Sequence, residues 1–116
     1  MTPEKAQRLA ARAMLERDLQ RHLAQACRTL GLRHYHTHDS RRSDPGFPDS
    51  IIVGRRVIAV ELKRQTEHPS PEQVAWLDAI GDASCPSCGD RPIRAHVWRP
   101  SDWLDGTIES ELRKVR

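Results

Sequence analysis

The chain has 116 residues, 37% hydrophobic and 30% charged, with 19 Lys+Arg against 16 Asp+Glu and a formal charge of +3. That length holds one domain and one modest core, which excludes a multidomain enzyme or a large barrel. Its apolar runs fall far short of the ~20 residues of a membrane span, its N-terminus lacks the apolar stretch of a signal peptide, and three cysteines are an odd count for a secreted disulfide scaffold, so a cytoplasmic domain without a membrane partner is expected.

From Pro3 to about Leu30 there is no internal Gly or Pro, and Met14, Leu15, Leu19, Leu23, Ala26, Cys27 and Leu30 draw one apolar stripe. That predicts a single long helix, started at Thr2-Pro3-Glu4, stopped at Gly31 and prone to fray over residues 1–12. A short strand follows over 32–38, then a polar loop over 39–48. Asp49–Val53 and Val57–Lys63 read as the arms of a hairpin turned at Gly54-Arg55-Arg56. Ser70-Pro71-Glu72-Gln73 reads as a capped helix start, with the helix running to about Ile80 and stopping at Gly81. After a Cys-containing loop over 82–92, Ile93–Trp98 alternates as a strand. Pro100-Ser101-Asp102 breaks it, and a last helix falls within 103–115. The order α-β-β-β-α-β-α predicts an α/β domain with a mixed central sheet flanked by helices.

The chemistry lies in Pro48-Asp49 and, after the hairpin, Glu61-Leu62-Lys63. Alternate strand residues share a face, so Glu61 and Lys63 point the same way as Val57 and Ala59, opposite Ile58, Val60 and Leu62. Folding the hairpin returns Asp49 to the side of Glu61. Two carboxylates so placed repel unless a cation lies between them. A hard ion, Mg²⁺ or Mn²⁺, takes such oxygens, and the Leu62 backbone carbonyl offers another. Lys63 is then placed to orient or deprotonate a water, or to offset charge on a phosphoryl transition state. Taken singly, P-D and E-x-K are common and mean a turn and a surface ion pair; their order and the hairpin favour a site.

Gly46-Phe47-Pro48-Asp49, the E-L-K at 61–63, the Ser70–Leu77 helix start and His96-Val97-Trp98-Arg99-Pro100-Ser101-Asp102-Trp103 together resemble the VRR-NUC family, a branch of the PD-(D/E)XK nuclease superfamily. The resemblance covers roughly residues 13–104. Stand-alone members are small, often phage-encoded, and similar to Holliday-junction resolvases. It implies a restriction-endonuclease-like core, with Asp49 and Glu61 as metal ligands, Lys63 as the catalytic lysine and Gln73 as the glutamine near the site. Glu16 fits the acid that members carry on the first helix as a further metal or metal-water ligand. From the residues alone, Glu16 also reads as a solvated helix acid and Gln73 as a capping residue.

His34, His36 and His38 alternate onto one strand face. A DNA-facing or exposed strand is the better reading than zinc, because no nearby acid or cysteine completes a site. Arg41 and Arg42, with Arg55, Arg56 and Arg64, form a candidate basic rim for phosphates, or an ordinary solvated surface; His38 is the histidine nearest a substrate. Cys85-Pro86-Ser87-Cys88-Gly89 resembles half of a zinc knuckle, and the longer loop departs from the family pattern. It reads as a Zn²⁺ site completed by His or by a second subunit, a redox pair, or a plain loop. Cys27, Trp76, Trp98 and Trp103 read as core.

The expected function is Mg²⁺- or Mn²⁺-dependent hydrolysis of DNA phosphodiesters, with branched or junction DNA as the structure-specific form of it and a homodimer as the assembly. Rival readings are a nucleic-acid-binding module that does not cut and a zinc-stabilised interaction domain.

Overall fold

A computed structural model of the chain describes residues 1–37, 42 and 44–116. The elements run α1 (Pro3–Ala13), α2 (Glu16–Leu30), β1 (Arg33–His36), β2 (Ser50–Val53), β3 (Val57–Leu62), α3 (Pro71–Asp82), β4 (Ile93–Trp98), α4 (Pro100–Leu104) and α5 (Thr107–Val115). The four strands form one mixed sheet in the order β1-β2-β3-β4. The first two pairings are antiparallel and the last is parallel. Only the parallel join needs a crossover, and α3 supplies it.

Register sorts the sheet's two faces. Ile52 lies opposite Ile58, and Leu62 opposite Trp98. These side chains, with Val60, meet Leu19, Leu23 and Cys27 of α2 and Ile108, Leu112 and Val115 of α5 in one buried cluster. The removal of this apolar surface from water is the main drive for the fold. The opposite face carries Ala59, Glu61, Ala95 and Val97, with α3 across β3 and β4.

The helix expected over Pro3–Leu30 is two helices. Met14 and Leu15 adopt extended backbone (ψ 128° and 155°), and the Leu15 N–H donates to Asp18 Oδ2 at 3.3 Å. The turn lets α1, whose only buried residue is Ala11, lie against α4 while α2 keeps its own stripe on the sheet. The Arg64 guanidinium donates to the Arg12 carbonyl (3.3 Å) at the last turn of α1. Thr2 Oγ1 caps the start of α1 by accepting from the Lys5 N–H (3.1 Å).

One punctuation residue acts differently from expectation, and another does more than expected. Gly81 does not end α3, which continues to Asp82; an added Cβ there would sit 3.3 Å from Ala95 Cβ, so the glycine serves close helix–sheet approach. Pro100 follows the end of β4, as expected, and also opens a helix three residues earlier than expected, in the first-turn position that proline tolerates, where Asp102 Oδ2 accepts from the Arg99 N–H at 2.8 Å. Gly106, at φ +85°, divides α4 from α5. Trp98 is buried, whereas Trp76 is half-buried and edge-on to Phe47 (5.1 Å between centroids) and Trp103 is half-buried and stacked on His22 (5.0 Å). Among the described residues no helix is long and apolar enough to cross a membrane.

The β2–β3 turn is pinned to the end of α5, with the Arg55 N–H donating to the Val115 carbonyl at 2.6 Å. A Cβ on Gly54 would run into that carbonyl oxygen and lie 2.7 Å from Leu32 Cδ2. Gly54→Ala is therefore expected to cost about 1–3 kcal/mol through overpacking. Urea unfolding should show a lower midpoint with an unchanged m-value.

Candidate active site

Strand alternation turns Glu61 towards α3, and extending the Ser50–Val60 pairing by one step sets Asp49 beside it. The two residues clasp each other through the backbone. The Asp49 N–H donates to Glu61 Oε2 at 3.2 Å, and the Leu62 N–H donates to Asp49 Oδ2 at 3.0 Å. Glu61 is buried, only 2% exposed at the end of the most apolar strand. Gln73 Nε2 donates to Glu61 Oε1 at 2.8 Å, and Lys63 Nζ lies 3.8 Å from the same oxygen.

Gln73 caps its helix, as its position predicts, and reaches Glu61 with the same side chain. Its Oε1 accepts from the Ser70 N–H at 2.8 Å while its own N–H donates to Ser70 Oγ at 3.2 Å, a capping box that starts α3. Its side-chain amide nitrogen donates to Glu61. The start of α3 and the end of β3 are thereby locked together through one side chain.

Loss of solvent pushes the Glu61 carboxyl up to about 8, with the Asp49 charge and a hydrogen bond to Asp49 adding to the rise and Lys63 opposing it. Glu16, the first residue of α2, is also raised: by lost solvent first, then by Asp49 and Glu67, against Lys63. The α1–α2 break brings this acid into the electrostatic field of the hairpin pair. Glu67, in the loop after β3, was not singled out by the sequence; the charged run directly after E-L-K was its only signal.

Among the described residues, no three His, Cys, Asp or Glu side chains gather closely enough to hold an ion between them. The compact donor set is thus two carboxylates, Asp49 and Glu61, with Glu16 farther out. Mg²⁺ commonly binds through one or two carboxylates and keeps several waters, so this pair fits that ion better than a full cage would. The Leu62 N–H faces Asp49, and a strand residue turns its N–H and C=O to the same edge, so the Leu62 carbonyl lies on the Asp49 side. The buried like-charge pair, short of compensating cations, is the feature that fits a divalent ion.

The other candidates disperse. His38 and Arg41 lie outside the described residues. Arg42 is exposed, and half-buried Arg64 lies at the site end of β3. Arg55 and Arg56 lie at the hairpin turn, at the opposite end of the sheet, where Arg56 pairs with Asp90 at 3.3 Å. The rim predicted from all five arginines therefore does not form one strip.

His34 and His36 share a face, as expected, but it is not exposed: both are half-buried on the α2 side. His34 Nε2 lies 3.1 Å from Ser50 Oγ and 3.5 Å from Gln20 Nε2, a polar network around buried Ser50 that the sequence did not announce. Cys27 is buried, and burial pushes its thiol up to about 11. Cys85 and Cys88 are free thiols in the loop before β4, at the opposite end of the sheet from Glu61. Hydrogen bonds from Ser87 and Cys88 hold the Cys85 thiol down to about 6.

Compared with known proteins, the chain matches no family model, no curated protein and no solved structure. Function must therefore be argued from the site itself.

Glu61 ionises at its ordinary value of 4.5 in the unfolded chain but only at about 8 when folded. Between those values the folded state holds more protons, so stability falls as pH rises. Without divalent ions, the melting temperature should drop from about pH 5 to about pH 8, and Glu61→Gln should flatten that slope. Mg²⁺ or Mn²⁺ should raise the melting temperature more at the higher pH, as thermal melts across pH would read.

Proposed function

We propose that this chain is a metal-dependent deoxyribonuclease of the VRR-NUC type, acting in the cytoplasm on DNA phosphodiesters, with branched DNA as its preferred form and a homodimer as its assembly. The observation that carries the reading is the hairpin-closing pair Asp49–Glu61 with Lys63 at 3.8 Å. In this reading Asp49, Glu61 and the Leu62 carbonyl would hold Mg²⁺ or Mn²⁺, which when bound supplies charge to the phosphate oxygens and acidifies a bound water.

The remaining work falls to the chain's own side chains. Lys63 carries the positive charge nearest Glu61 and is placed to orient the attacking water or offset charge on the transition state. Gln73 fixes Glu61 Oε1, so the carboxylate keeps one orientation. Glu16 adds a further acid whose titration feels the charge of Asp49. Backbone phosphates would meet Arg42 and Arg64. The groove of about 690 Å³ beside α1, lined in part by Lys5, Arg8 and Arg12, adjoins Arg64 through its hydrogen bond to the Arg12 carbonyl.

Cleavage assays on junction, flapped and plain duplex DNA with Mg²⁺ or Mn²⁺ test the reading. Asp49→Asn and Lys63→Ala should each lower the rate by ~10²-fold or more. Cleavage that survives both changes, or metal-dependent binding without cleavage of any substrate, would overturn it.

Gln73→Glu separates the two duties of that residue. Glutamate still accepts from the Ser70 N–H, so α3 keeps its cap, but it sets a third carboxylate against Glu61. Activity should fall by ~10-fold or more while the far-UV circular dichroism stays unchanged; a loss of helix in step with activity would leave capping as its main role.

A further inference from the structure

The loop between α3 and β4 carries two cysteines three positions apart. Cys85 and Cys88 are both free, Cys85 half-buried and Cys88 exposed. The loop is closed on itself: the Cys85 N–H donates to the Asp90 carbonyl at 2.7 Å, and the Gly89 N–H donates to the Cys85 carbonyl at 2.8 Å. Gly89 holds φ +75°, a conformation that suits glycine and turns the chain back after Cys88. Ser87 Oγ lies 3.2 Å from Cys85 Sγ.

Two free thiols in a C-x-x-C turn closed by backbone hydrogen bonds suit a pair of metal ligands, and at 3.2 Å the Ser87 hydroxyl can donate to Cys85 as a thiolate. A structural zinc site needs four ligands, and this chain brings two. The neighbouring acids are engaged elsewhere. Asp90 Oδ1 lies 3.3 Å from Arg56 Nη1, and Asp82 Oδ1 lies 3.7 Å from Arg91 Nη1. Among the described residues no third donor joins the two sulfurs. The site is therefore half of a tetrahedral one, exposed at an end of the sheet where a second copy can reach it.

We propose that Cys85 and Cys88 bind Zn²⁺ together with the same two cysteines of a second copy of this chain, forming a four-thiolate bridge between two protomers. The bridge lies at the sheet end where Val57 pairs with Ile93, whereas Glu61 pairs with Val97 at the other end. It leaves Asp49, Glu61 and Lys63 clear of the joint. The inference does not depend on the nuclease reading.

The test is metal content and mass in solution on the full chain, prepared under reducing conditions with zinc in the medium. The expected result is half an equivalent of zinc per chain in a dimer that a chelator converts to monomer. Cys85→Ser and Cys88→Ser should each lose both zinc and dimer with unchanged far-UV circular dichroism. Should either variant fail to fold, Co²⁺ titration of the metal-free wild-type chain serves instead: thiolate-type visible absorption should saturate at half an equivalent per chain. A full equivalent of metal on a monomer, no retained metal, or a dimer that survives both chelation and substitution would overturn the proposal.

Discussion

Two carboxylates meet at the mouth of the β2–β3 hairpin, and the backbone brings them there against their own repulsion. The register that buries Ile52 against Ile58 leaves Asp49 no place except beside Glu61. Burial of like charges is costly unless hydrogen bonds and opposite charge offset it. The fold supplies two backbone N–H groups, the Gln73 amide and the Lys63 ammonium. These partners come from β2, β3 and α3, so the geometry of the pair fixes how three elements join. The same arrangement pushes the Glu61 carboxyl up, because lost solvent and the Asp49 charge outweigh Lys63.

Much of this was legible in the residues because the determining signals are local. Hairpin alternation places Glu61 and Lys63 on one face, and Ser70-Pro71-Glu72-Gln73 announces its capping box. The apolar stripe of Leu19, Leu23 and Cys27 is the stripe that is buried. The failures share a different cause. The break at Met14-Leu15 carries no Gly or Pro; it exists because α1 rests on α4, a distant contact, and because Asp18 offers its carboxylate to the Leu15 N–H. Gly81 reads as a helix stop in isolation, yet its meaning comes from Ala95 on a later strand. Pro100 is ambiguous locally, since proline both ends strands and opens helices.

The two faces of the sheet do unlike work. On one, α2 and α5 seal an apolar cluster that holds the strands in register. On the other, α3 covers β3 and β4. Tyr35 and Val53, which share that second face by register, are 62% and 41% exposed. A well-packed layer behind the sheet permits a thinly covered one in front, because the carboxylate pair needs a rigid strand end rather than a thick roof.

That asymmetry bears on what the site can accept. Small-molecule sites are concave and bury most of their ligand. The groove beside α1 and the groove of about 800 Å³ between α3 and β4 are lined by neither Asp49 nor Glu61. Glu61 is itself buried, but Asp49, Lys63 and Gln73 are each half-buried, and the sheet face beyond them is open at Tyr35 and Val53. A reacting group would have to be carried to the carboxylates by something large enough to bind outside them. Under the nuclease proposal a polymer would do this: distant phosphates would lend binding energy to the one that reacts, and no enclosing pocket would be needed. The exposure around the carboxylate pair is thus compatible with the substrate that the nuclease proposal assigns to it.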